Sequence, residues 1–141
     1  ALGDRGSLGL TMGEDGHLAV CAASRVPPDL ALPPMENPIS ISTTIMAFSR
    51  RTAVAAMWDE AGRAEQEVMS SLGASALLVI PILIDTEPIG ALHVFHDTPD
   101  AFDEDDLAFA TAIGHLCAQA IDRLRLHQAN DRGHPLVDQV Q

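Results

Sequence analysis

Ser75-Ala76-Leu77-Leu78-Val79-Ile80-Pro81-Ile82-Leu83-Ile84, then Asp85-Thr86-Glu87-Pro88, then Ile89-Gly90-Ala91-Leu92-His93-Val94-Phe95-His96, is the stretch that decides the fold. Its first part is a run of β-branched and aliphatic residues, apolar at both parities. That pattern predicts a strand covered on both faces, hence a central one. The acidic Thr-Glu-Pro step reads as a turn, and Ile89 to His96 as the returning strand. Gly90 allows a close approach of a neighbouring backbone or a bulge. Pro81 marks an irregularity, because a residue without an N–H does not fit the middle of a ladder.

Moving outward toward the C-terminus, Thr98-Pro99-Asp100 closes the strand and Asp103 caps a long final helix, with Asp106 in its first turn. At 100° per residue, Leu107, Ala110, Ile113, Gly114, Cys117, Ile121 and Leu124 share one face. Phe109, Leu116 and Ala120 widen the apolar arc beyond the stripe of about 100° that one sheet needs. The surplus predicts a second helix against it, from a preceding segment or a partner chain. Residues 130–141 read as a polar tail or linker.

Toward the N-terminus, Glu60 to Leu72 is predicted helical with Gly73 as its C-terminal stop, and Thr52 to Trp58 is predicted as a strand. Ser42-Thr43-Thr44 caps a short helix to about Arg51. Pro27, Pro28, Pro33, Pro34 and Pro38 make Val26 to Pro38 an irregular excursion carrying Leu30, Leu32 and Met35. Gly6 to Met12 and His17 to Ser24, joined at Glu14-Asp15-Gly16, form a hairpin. Two hairpins with interspersed helices argue for an α+β fold: an antiparallel sheet of five to six strands with helices on its faces and a long C-terminal helix.

The totals narrow the function. The 141 residues fit one domain, and 47% hydrophobic with 20% charged residues is globular rather than disordered. Aromatics are only 4%, so the core is aliphatic. The net charge of -12, with Arg as the sole basic residue, repels phosphate backbones and anionic membrane surfaces, which argues against nucleic-acid and membrane partners. The longest apolar run, Ala76 to Ile84, falls far short of the ~20 residues of a membrane helix. Cys21 and Cys117 match no metal spacing and read as reduced, buried thiols of a cytoplasmic protein.

The second half closely resembles the GAF family. The ordered set is Ser75 to Ile84 with its Ile80-Pro81-Ile82 step, Pro88-Ile89-Gly90-Ala91-Leu92-His93-Val94, Ala101-Phe102-Asp103-Glu104-Asp105-Asp106, and the Ala-rich helix ending near Arg125-Leu126. Residues 2–73 fit more loosely, and the family's first helix is mostly missing, which implies a piece of a larger protein. Leu116-Cys117-Ala118-Gln119-Ala120-Ile121-Asp122-Arg123 resembles domains of bacterial, specifically actinobacterial, signalling proteins. The resemblance implies a single sensory domain over residues 1–129, a non-enzymatic regulatory role, an output domain outside this chain, and a small-molecule ligand of unknown identity.

Candidate chemistry is weighed within that frame. His93 and Phe95 share one face of a strand, and Leu92 and Val94 the other. One face meets the final helix and the other looks toward the family's pocket. Some GAF sensors bind haem through His, but a lone strand histidine is more often simply hydrogen-bonded. Trp58, with Met57 before it, either lines a small apolar cavity or covers the sheet edge. Bilin attachment lacks its motif around Cys21 or Cys117. The sulfoxide reductase of this fold needs a central set of cysteines absent from this chain. The cyclic-nucleotide signature needs a Lys, and Asp106 is followed by Leu107 where it has Glu. The acidic run Asp97 to Asp106 lacks an EF-hand's Gly and terminal Glu and is read as helix-capping. The expected ligand contacts are therefore Met57, Trp58, His93 and Phe95, with no catalytic residue, no metal ligand and no assignable cofactor. A homodimer through the terminal helix, or a ligand-free scaffold built on it, is the alternative expectation.

Overall fold

The computed structural model describes residues 6–12, 18–24, 43–99 and 101–133. The turn at 14–16, the proline-rich excursion and the end of the predicted tail lie outside the described residues, as do the side chains of 12, 18–23 and 129–133. Along the chain run β1 (Gly6–Met12), β2 (Leu18–Ser24), α1 (Thr43–Arg50), β3 (Val54–Met57), α2 (Arg63–Leu72), β4 (Ala76–Ile84), β5 (Glu87–His96) and α3 (Glu104–Gly133). The strands form one antiparallel sheet in the order β2-β1-β5-β4-β3.

Several boundaries differ from the sequence expectation, each for a local reason. The strand expected over Thr52 to Trp58 is shorter, because Trp58–Glu60 turns into a 3₁₀ element. The helix expected from Glu60 begins at Arg63, because Gly62 is extended and serves as its N-cap. The β4–β5 turn is tighter than the Asp85-to-Pro88 turn expected. Ile84 pairs with Glu87, and Asp85 takes the left-handed conformation that a short polar side chain tolerates. Gly73 ends α2 as expected, with φ +68° and a Schellman pattern: Gly73 N–H bonds Ser70 O and Ala74 N–H bonds Met69 O. Asp103 caps α3 reciprocally, its carboxylate accepting from Asp106 N–H while Asp106 accepts from Asp103 N–H.

The central hairpin is buried on both faces, as its composition requires. Leu77, Val79, Ala91 and Phe95 join Leu8 and Val54 in a core with Ala47 of α1 and Val68 and Met69 of α2. Leu78, Ile80 and Val94 face Ala110 of α3 instead. The register shifts at Ile82/Leu83, and the extra residue in β5 is Ile89. Such a bulge reverses side-chain direction. Ile89 accordingly packs with Ile82 and Ala118 under α3.

Two glycines are required by close approach. A Cβ on Gly90 would stand 2.5 Å from the Leu10 carbonyl oxygen, so β1 docks on β5 only because that side chain is absent. A Cβ on Gly114 would stand 2.7 Å from the Pro81 oxygen, so α3 rests directly on the β4 backbone. Pro81 itself lies past the end of β3, which pairs only with Ala76 to Val79. Its missing N–H therefore removes no bond to that strand.

Candidate functional site

A charged group sits within the core beneath α1 and α2. Glu65 is 3% exposed and His93 is fully buried. Glu65 occupies the third position of α2, where its Oε1 accepts from Gly62 N–H at 2.9 Å and completes half of a capping box. The same carboxylate reaches the first turn of α1. Oε1 accepts from Thr43 N–H and Oε2 from Thr44 N–H, each at 3.0 Å, and Oε2 also takes the Thr44 hydroxyl. One carboxylate thus caps the starts of two helices, where the helix dipole favours negative charge. Its four acceptor positions are filled by four donors.

The hydrogen-bond inventory then assigns the protons. The Thr44 hydroxyl has one hydrogen, and an ionised carboxylate accepts only, so that hydrogen goes to Glu65. His93 Nε2 lies 2.9 Å from Thr44 Oγ1 and must therefore be the donor. The neutral ring carries its proton on Nε2 and leaves Nδ1 as a bare acceptor. Nδ1 is the one buried side-chain polar atom without a partner among the described residues. Burial pushes the His93 ring down to about 4, against the opposing pull of Glu65. Burial pushes the Glu65 carboxyl up, but the Thr44 hydroxyl, the His93 ring and the Gly62 and Thr43 N–H groups outweigh it and hold it below its ordinary value.

Of the expected site residues, the structure brings His93 and Phe95 together. Their rings meet edge-on at 6.2 Å, with Phe95 fully buried in the core. Met57 and Trp58 stand elsewhere, at the end of β3, where Met57 pairs with Ala76 and Trp58 N–H bonds Ser75 O. His93 is opposite Val79. Trp58 is 46% exposed and lies on α2, its indole N–H donating to Gln66 O and Ser70 Oγ while Gln66 Nε2 donates to Trp58 O. Cys117 is half-buried beside Ile82 and Ile121. Among the described residues no group of His, Cys, Asp or Glu could hold a metal ion.

Sequence reasoning missed Glu65 and the role of Thr44. A signal existed: Glu65 falls on the same helical face as Val68, Met69 and Leu72, three to seven positions away. A carboxylate inside an apolar stripe calls for a buried partner.

This architecture has known counterparts. A domain of a two-component sensor histidine kinase from Sinorhizobium meliloti 1021 is 20% identical, with a TM-score of 0.70 over 89% of this chain and 84% of that one. The GAF domain of a two-component sensor histidine kinase from Bacillus halodurans is also 20% identical, with a TM-score of 0.67 over 87% and 84%. A type II free methionine-R-sulfoxide reductase from Thermoplasma acidophilum, 17% identical, superimposes with a TM-score of 0.58 over 82% and 77%. At these identities the likeness is one of fold. No curated protein matches the chain. The family profile described as GAF domain matches residues 6–122, most of the sequence, and the chain belongs to the GAF domain family.

Proposed function

We propose that this chain is a non-catalytic sensory domain of a cytoplasmic signalling protein, responding to a small molecule or redox change on the α1/α2 face of the sheet. The observation that carries the reading is the His93-Thr44-Glu65 network. A ligand donor engaging the bare Nδ1 would act on a ring whose other nitrogen is tied, through one hydroxyl, to the carboxylate that caps α1 and α2. His93 sits on β5, and the opposite face of that strand packs on α3 through Leu92 and Val94. A shift at the network is thereby one strand away from the C-terminal helix. Likeness of fold to domains of sensor kinases supports the role, and we propose an actinobacterial signalling protein as the parent.

Native mass spectrometry with an absorbance spectrum of the protein from its own host tests this. The expected result is a bound small mass or a visible band that His93→Ala weakens at least tenfold. A clean apo mass with no absorbance, in wild type and variant alike, would sink it.

A second reading is favoured by α3. Phe109, Leu116, Leu124 and Leu126 are 53–65% exposed. Large apolar side chains along one helix fit pairing with a second copy, which would make the chain a dimerisation scaffold. Sedimentation of wild type against Leu116→Glu tests it, and a monomer at all concentrations in both would end it.

A further inference from the structure

A second polar site lies at the edge of the sheet, sharing no residue with the His93 network. Past the end of β3, the edge of β4 is bordered by α3, by the turn after α1 and by the β4–β5 hairpin. A cleft of about 120 Å³ opens there, lined by Arg51, Pro81, Leu83, Asp85, Thr111 and His115.

Backbone geometry singles out the same place. Arg51 (φ 59°) and Asp85 (φ 58°) are the two non-glycine residues with positive φ among those described, and both line this cleft. That conformation is sparsely populated by side-chain-bearing residues, and strain of this kind gathers at functional positions. Asp tolerates it; Arg does not do so readily. Arg51 stands at the stop of α1, with its N–H on the Ala47 oxygen, a place usually given to glycine. The sequence keeps a guanidinium there instead.

The charges are available. No side-chain hydrogen bond or ion pair of Arg51 or Asp85 is found among the described residues, with each other or with any other group. The walls are held firmly by contrast. The Thr111 hydroxyl accepts from Ala53 N–H at 2.9 Å and donates to Leu107 O at 2.8 Å, fastening the segment after Arg51 to α3. Pro81 removes a donor from this edge, which discourages another strand from extending the sheet across it.

We propose that this cleft binds a small zwitterion of the α-amino-acid class. Its carboxylate would take the planar fork of Arg51 and its ammonium the Asp85 carboxylate, with His115 at the rim. A lone anion would meet Asp85 and a chain of net charge -12. A lone cation would meet Arg51. A molecule carrying both charges satisfies both groups without an unpaired partner. At ~30 Å³ per water the volume holds roughly four waters, the scale of a short-chain amino acid and not of a nucleotide. Occupancy would clamp the hairpin and the α1–β3 turn onto α3.

The test is amide chemical-shift titration of the 141-residue chain with L-alanine, with acetate and methylammonium as single-charge controls. Alanine is expected to move amides at Arg51 to Ala53, Asp85 to Thr86 and Thr111 to His115, and to bind at least about tenfold more tightly than either control. Arg51→Gly, which relaxes the backbone, and Asp85→Asn, which keeps a tolerated left-handed residue, should each weaken alanine at least tenfold. No movement at those amides at roughly 10 mM alanine would overturn the proposal. So would acetate binding as tightly as alanine, or unchanged binding in Arg51→Gly. Shifts at Thr44, Glu65 and His93 report on the other site, so the two readings fail separately.

Discussion

The two faces of the sheet solve the burial problem differently. Under α3 the contacts are aliphatic and close: Leu78, Ile80, Val94 and Ala110, with Gly114 against the β4 backbone. Under α1 and α2 an equally buried layer carries an ionised carboxylate, a threonine hydroxyl and an imidazole. Apolar packing is non-directional and tolerates little change of volume. A buried polar network is directional, and its state depends on protons and hydrogen-bond partners. The first face suits transmission of a rigid displacement, and the second suits sensing.

Breaking the polar face should have the largest effect. Glu65→Ala strips four buried donors of their acceptor and should cost roughly 3–5 kcal/mol, read by urea denaturation. A loss under about 1 kcal/mol would mean that water replaces the carboxylate and the face is softer than its hydrogen bonds indicate. On the aliphatic face, Gly114→Val drives a side chain into the Pro81 oxygen and should cost about 1–3 kcal/mol by displacing α3. A neutral result would show that α3 floats on the sheet.

Acid separates the faces without mutation. His93 titrates at about 4 when folded and near 6.5 when unfolded, so between those values the unfolded chain binds more protons. Stability should therefore fall as pH drops from about 6.5 to about 4, by at most ~1.4 kcal/mol per pH unit. The lowered Glu65 carboxyl adds a loss of the same sign at the acid end, since its stabilisation is present above the unfolded value and disappears as it protonates. Thermal melts of wild type and His93→Phe across this range should diverge in slope, and parallel curves would remove His93 from the account. The smallest effect belongs to Trp58→Phe. It loses only exposed bonds to Gln66 and Ser70, and should shift stability by about 0.5–1 kcal/mol while leaving the pH slope unchanged.

Much of this was legible in the residues because its causes are local. The apolar run Ala76 to Ile84 and its returning strand require a central hairpin. Asp103 and Asp106 cap a helix from three positions apart, and Gly73 stops another. These depend on backbone geometry and on hydrophobic period within a few residues. The boundaries at Trp58 and Gly62 were misjudged because a 3₁₀ turn and an extended glycine leave no periodic trace.

The candidate sites were only partly legible. His93 and Phe95 could be placed on one face by strand parity, but Trp58 could not be assigned to α2, since strand parity ends where the strand does. Glu65 meets Thr44 across 21 positions, and Thr44 meets His93 across 49. Arg51 and Asp85 reach one cleft from separate turns. Sequence by itself determined the central hairpin, the Asp103 cap and the Gly73 stop, and with them the family resemblance, because each follows from neighbours along the chain. Only the tertiary structure decided which buried charge found which partner, because pairing in the core depends on three-dimensional register, and no local propensity encodes that.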